Sequence, residues 1–394
     1  MSRYRKYLQV LFAVLAALLL PLLPNLVFMR NIGELTDEQR IAALQQDQGG
    51  LYGTATTYDV LRYKKALMAL REPEVVALGS SRVMQFRQEF FRVPFANLGG
   101  TVSDTQLLRR LAESIAETPS VKVVILGFDF WWTNRELNER KERNVVLRED
   151  YLSGKIELGF VPLRWLADGR ISSNFYRHSL AQGFPARIDG IPAFGANAAA
   201  RGNGFAPDGS YMYNGVVYGL EKSADAGFAE IRDRIVRSVD NFGQFAHLDH
   251  AALREAAAAI DIMQAAGKRV VVFAPPLATA ILNEIERRRD SYLYLDEFLR
   301  ALPQLGADAW HSFHDPRQFD SSDCEFVDGI HGGDVTYARI VLRMAEDPGL
   351  ARAVDRDALG EVVRSSAGRA SGGLAAALST RKQVDFLELG CVRD

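Results

Sequence analysis

The sequence predicts an α/β domain built on a parallel sheet with helices on both faces. Two observations predict it. Apolar runs alternate with amphipathic helical stretches between about residues 58 and 126, and the same alternation resumes from about 251 to 345. Neither half supplies enough strands to be covered on two faces, so both halves belong to one three-layer unit. A chain of 394 residues is long enough to bury such a core without staples.

The first thirty residues differ in kind from the rest. Tyr7 to Phe28 carries no charge, and as one helix it rises roughly 33 Å, enough to cross a bilayer core. Arg3, Arg5 and Lys6 precede it, which predicts a cytoplasmic N-terminus (1–6), a transmembrane anchor (7–28) contacting membrane lipid, and an extracytoplasmic remainder. The stretch is longer than a signal peptide's apolar region, and no clear small-x-small cleavage site follows it. Pro21 and Pro24 bend its outer end.

Residues 29–60 read as a connector with a short helix near Asp37 to Gln46 and a break at Gly49 and Gly50. The folded domain, starting near Tyr58 and taken as 61–349, then supplies strand Val75–Leu78, strand Phe95–Leu98, helix Thr105–Glu117 and strand Val121–Leu126. After an interruption come helix Ala251–Ala266, strand Arg269–Ala274, a helical stretch from Leu277 to Leu302, the run Asp308–Phe313 and helix Val335–Ala345, with Asp334 as its expected cap.

The interruption, about Tyr151 to Phe245, is rich in Gly, Asn and aromatics and has no sustained period. Such length marks either a lid or binding insertion or an ordered surface excursion. A tail, 350–394, carries SSAGRASGGLAAA, expected to be flexible, before a last apolar segment at VDFLELGC.

Composition excludes some functions. Lysine plus arginine number 47 against 49 acidic residues, a net charge of -2, so no nucleic acid partner is indicated. No phosphate-binding glycine loop occurs, and no cofactor is implied. Cys324 and Cys391 are the two cysteines. They form one bridge to the tail or remain two unrelated thiols. His247 and His250 in HLDH have a spacing seen in metal sites, but without further ligands nearby no metal is expected, and Asp249 reads as a helix cap.

The chemistry-bearing stretches stand at expected strand ends. VVALGSSR places Gly79, Ser80, Ser81 and Arg82 where the first strand emerges, the sheet edge where ligands collect. FVDGIHGGD sets Asp328 three residues before His331, a spacing at which a carboxylate can hold an imidazole. Serine needs such a base, because its hydroxyl is a weak nucleophile at neutral pH. At the same edge, Arg82 is a candidate clamp for an anionic group, Trp131 and Trp132 are candidate sugar-stacking surfaces, and His311 and His314 are candidates for packing or substrate contact.

GSSR at one strand end, NLGG at the next, GFD after the third and DGIH before the last helix together resemble the spaced blocks of the SGNH, or GDSL-like, hydrolase superfamily. The pattern is most similar to its membrane-anchored members, such as the teichoic-acid D-alanylation transfer and alginate O-acetylation proteins. The likeness covers most of residues 70–345 and implies a flavodoxin-like parallel sheet. It implies Ser81 as nucleophile, His331 as general base and Asp328 as its orienting partner, with the amides of Ser81 and Gly100, or Gly99 in its place, facing the oxyanion. The third block departs from the family, offering Asp129 where an asparagine amide is usual. A carboxylate there repels the developing charge unless it is protonated or turned away.

The resemblance implies an inner-membrane, single-pass acyl-ester enzyme facing the periplasm. It would be an O-acyltransferase or esterase, with O-acetyl the expected group and a cell-envelope polysaccharide the substrate. A multi-span membrane acyltransferase is the expected donor-supplying partner. The competing reading is a noncatalytic envelope-assembly or glycan-binding protein, which Asp129 favours.

Overall fold

In the computed structural model of the protein, residues 2–19, 22–56, 59–137, 159–374 and 381–391 are described. The expected domain start at Tyr58 and the first residues of the expected insertion, 151–158, lie outside them. Among the described residues ten strands run in chain order: β1 (Leu51–Tyr52), β2 (Val75–Gly79), β3 (Phe95–Gly99), β4 (Val123–Gly127), β5 (Ala186–Ile188), β6 (Ile191–Phe194), β7 (Asn203–Phe205), β8 (Tyr211–Tyr213), β9 (Arg269–Ala274) and β10 (Ala309–Ser312).

The main sheet is ordered β10-β9-β4-β2-β3 and every pairing in it is parallel. Counted within this sheet the order is 2-1-3-4-5, the flavodoxin-like arrangement, whose switch point lies between β2 and β4. β2, β3 and β4 are buried at every residue because both faces are covered. One face packs against helices Thr105–Ala116 and His250–Ala265. The other packs against helix Asp334–Met344, whose Val335, Ala338 and Val341 are fully buried.

A second sheet, β5-β6-β1-β7-β8, is mixed, with β1 parallel to β6 and the remaining pairs antiparallel. It joins the expected connector to the expected insertion. Leu51 and Tyr52 form its middle strand, so the segment is a structural part rather than a link. A strand of two residues has no period to read, and only its partners reveal it. The Tyr211 amide donates to Met84 O at 3.0 Å, which docks β8 on the loop after Ser81.

The N-terminus corrects an expectation. No helix among the described residues is long and apolar enough to cross a membrane. The stretch Tyr7–Phe28 is divided between helix Ser2–Leu19 and helix Leu23–Asn31, the second with proline in its first turn, where a missing amide costs nothing. The second helix is part of the protein core. Phe28 and Met29 are fully buried, Phe28 lies 4.8 Å from the Tyr176 ring, and Asn25 donates to Gly159 O. The first helix instead exposes Tyr7, Val10, Phe12 and Val14.

The described part of the tail is also more ordered than its composition suggests, while residues 375–377 of the stretch expected to be flexible lie outside the described residues. Helix Arg356–Ser366 buries Leu359 and Val362 against helix Asp334–Met344, and Phe386 and Leu387 enter the core. Cys324 and Cys391 form a disulfide with Cα atoms 5.4 Å apart, tying the tail to the turn that precedes Asp328. Other expected elements shift by a residue or two. The stretch from Leu277 to Leu302 divides into helices Thr279–Glu286 and Leu293–Ala301.

Candidate active site

Three glycines at adjacent strand ends prepare the edge of the sheet. A Cβ on Gly79, Gly99 or Gly127 would lie 2.9, 2.9 and 2.3 Å from the Val83 side chain. Their bareness lets Val83 sink between strands, and the 3-10 turn Ser81–Val83 lies down on the switch point. Ser80 caps the turn by accepting from the Arg82 amide. Ser81 opens it half-exposed, with an amide that has no acceptor inside the turn.

The structure brings Ser81, His331 and Asp328 together across 250 residues of chain. Ser81 Oγ lies 2.8 Å from His331 Nε2, and His331 Nδ1 lies 2.7 Å from Asp328 Oδ2. The other Asp328 oxygen accepts from the amides of Ile330 and His331 at 2.9 and 2.8 Å. Burial pushes the Asp328 carboxyl up, but the His331 ring and these amides outweigh it and hold it below the ordinary range. The carboxylate is therefore ionised and oriented. His331 and Asp328 keep 15% and 26% of their side-chain surface, enough for a ligand to reach.

Sequence reasoning missed the support under this turn. Gly329, between Asp328 and His331, donates its amide to Asp225 Oδ2 at 2.8 Å, and Asp225 Oδ1 accepts from the Ile231 amide. Gly329 O accepts from Ala278 at 3.0 Å, and the Gly227 amide donates to Leu387 O in the disulfide-tied tail. Nothing in SADAG marks Asp225 as special. Its part is visible only when the segment is seen beneath the turn.

The remaining candidates stand apart from these three. Arg82 is 1% exposed, and each guanidinium nitrogen has an acceptor: Nε on Ile330 O, Nη1 on Asp129 at 2.9 Å, and Nη2 on Pro275 O and Pro276 O. It is an internal tie between four loops and presents no clamp to a ligand. Asp129 is turned into this pair, where burial raises its carboxyl pKa against the pull of Arg82. The Gly100 amide donates to Gly79 O and the Gly99 amide to Asn97 Oδ1, so the glycine donor expected beside Ser81 is occupied at either position. Backbone at strand ends is drawn into local turn bonds before any ligand arrives.

Trp131 and Trp132 are 4% and 0% exposed and do not form a sugar-stacking face. Trp132 packs edge-on to Phe128, and Trp131 lies 5.2 Å from the Arg82 guanidinium carbon. His314 is pulled down to about 4 by burial and by neighbouring Arg82, so it is neutral at physiological pH. His311 stacks on Phe313. Asp334 does not cap its helix, whose cap is Gly333. Its carboxylate pairs with Arg87 at 2.7 Å. Asp249 does cap helix His250–Ala265.

The insertion reaches the site through Tyr213, whose ring centre is 6.1 Å from that of His331. Comparison with family models, with curated proteins and with solved structures finds no match to this chain.

Proposed function

We propose that this protein is a serine acyl-ester enzyme of the SGNH type, an O-acyltransferase or esterase acting on a cell-envelope polysaccharide outside the cytoplasm. The observation that carries the reading is the unbroken line from the Ser81 hydroxyl through His331 to an amide-locked carboxylate. In the proposed cycle Ser81 Oγ attacks an acyl carbonyl carbon while His331 Nε2 takes its proton. The departing alcohol leaves with that proton, and the acyl group stays on Ser81. An acceptor hydroxyl, from sugar or water, then gives its proton to Nε2 and attacks the acyl carbon, and Ser81 recovers a proton as it leaves.

Asp328 stabilises the imidazolium formed in each half. The Ser81 amide is the proposed oxyanion donor, and Asp129 takes no part, since Arg82 holds it. The Cys324–Cys391 disulfide supports an oxidising compartment. Helix Ser2–Leu19, with an exposed apolar surface beside exposed Arg5 and Lys6, supports attachment to a membrane. A membrane acyltransferase is the proposed donor partner.

A second reading, a noncatalytic glycan-binding or envelope-assembly protein, is favoured by the occupied amides of Gly99 and Gly100. Labelling of the full chain with a fluorophosphonate decides between them. The enzymatic reading expects an adduct on Ser81 that falls at least 1000-fold in rate in His331→Ala, about the scale of triad loss. Absence of adduct on folded protein leaves the binder.

A further inference from the structure

Arg87 is the second arginine of the nucleophile segment, and it differs from the first. It is 3% exposed, its Nε and Nη2 are held by Asp334 Oδ1, and Nη2 also reaches Gln85 Oε1 at 2.6 Å. Its Nη1 has no acceptor among the described residues. The arginine lines a cavity of about 20 Å³ together with Gln85, Tyr213, Asn214, Val327 and Ser371. Four separate parts of the chain therefore converge there: the nucleophile loop, β8 of the insertion, the residue before Asp328, and the tail.

A buried guanidinium nitrogen lacking an acceptor carries an unrecovered desolvation cost, and an oxygen placed against it recovers that cost. The ligand's charge follows from the neighbours. Asp334 already balances Arg87, so a carboxylate or phosphate entering the cavity would bring an uncompensated negative charge beside Asp334 and Asp328. Size agrees, because the volume suits one water-sized group rather than a three-atom anion. Tyr213 links the cavity to the chemistry, since it lines the cavity and lies beside His331.

We infer that the Arg87–Tyr213 cavity is an acceptor subsite that takes one hydroxyl oxygen of an uncharged polyol or sugar, holding it beside the acyl group on Ser81. This rests on the serine chemistry proposed above for its catalytic consequence, though not for binding. It gives the protein a preference for neutral hydroxyl acceptors over uronates and phosphorylated sugars. It also assigns the insertion a role in choosing the acceptor.

The experiment uses full-length protein, p-nitrophenyl acetate as donor, and methyl glucoside or glucuronate as acceptor. Acetyl transferred to sugar is measured against acetate released to water, a ratio that divides out any common effect on acyl-enzyme formation. Methyl glucoside is expected to exceed glucuronate by about five-fold or more, and Tyr213→Phe to lower the methyl glucoside ratio about five-fold, the scale of one hydrogen bond. Arg87→Lys, which keeps a charge against Asp334 but lacks Nη1, is expected to lower it at least as far.

An unchanged ratio in Tyr213→Phe, or equal use of glucuronate, overturns the subsite while leaving the serine reading intact. If no acyl-enzyme forms, that reading fails and thermal denaturation judges the subsite alone. A rise in Tm with methyl glucoside in wild type that is lost in Tyr213→Phe supports it, and equal or absent shifts overturn it.

Discussion

Arg82 and Arg87 stand five residues apart, are equally buried, and each pairs with an aspartate, yet they do opposite things. Arg82 is saturated: Asp129, Ile330, Pro275 and Pro276 take all its nitrogens, and Tyr337 donates to its carbonyl. It fastens the ends of β2, β4 and β9 to the turn that carries His331. Arg87 has a nitrogen to spare beside a cavity. The difference teaches that burial of a charge marks structure when its hydrogen bonds are complete and marks a candidate site when they are not.

The largest expected effect tests the saturated arginine. Arg82→Met leaves Asp129 buried without its partner and frees three carbonyls, so denaturant unfolding should show a loss of about 3–5 kcal/mol. Arg87→Met should cost less, because Asp334 keeps the Gly372 amide at 3.0 Å. Equal losses would erase the contrast between the two arginines.

Next comes Gly127→Ala. Its Cβ would meet Val83 Cγ1 at 2.3 Å and should destabilise by about 1–3 kcal/mol by overpacking. Val83→Ala in the same chain should restore most of that loss, as a double-mutant cycle by denaturation would show. Lack of coupling would mean that Val83 is not what the three glycines accommodate.

Asp225→Asn sharpens the comparison from the side of the Asp328–His331 turn. The amide keeps one acceptor oxygen but turns an NH₂ toward a backbone amide, from either Gly329 or Ile231. Adduct formation at Ser81 should slow about ten-fold, with a stability loss near 1–2 kcal/mol. Restoration of the rate by Asp225→Glu is not expected, since the longer side chain displaces the turn. A normal rate in Asp225→Asn would remove Asp225 as a positioning residue.

The last prediction concerns pH. Lys64 is fully buried, donates to Asn97 O at 2.8 Å and to Gly209 O, and burial lowers its pKa to about 7 despite nearby Asp208. An unfolded lysine titrates near about 10.4, so between those values the unfolded chain binds more protons. This group therefore penalises the folded state below about pH 7, and the penalty is relieved as pH rises toward 10. Lys64→Met should flatten the rise in Tm over that window relative to wild type. An identical slope in both chains would refute the shift.

The parallel sheet was legible because a strand buried on both faces is an unbroken apolar run, as β2 and β4 are and as β9 is after Arg269. That Ser81, Asp328 and His331 meet was legible because their types and their places at strand end and helix entry are set locally. Arg82, Trp131 and Trp132 were misread. A sequence shows that a polar or aromatic group is near an edge but not whether it points out of it. Tyr7–Phe28 read as one helix for a related reason, since the apolar residues of helix Leu23–Asn31 suit a lipid bilayer and a protein core equally well.

The sequence by itself determined the sheet and its order of elements, and it placed the Ser80–Ser81 turn at a strand end, because periodicity and strand-end glycines act over a few residues. Only the tertiary structure decided which donors are already taken, that Leu51 and Tyr52 complete a second sheet, and that Asp225 and Tyr213 reach the turn around His331. The last two outcomes depend on contacts between segments more than one hundred residues apart, and hydrogen-bond completeness is a property of contacts rather than of any residue alone.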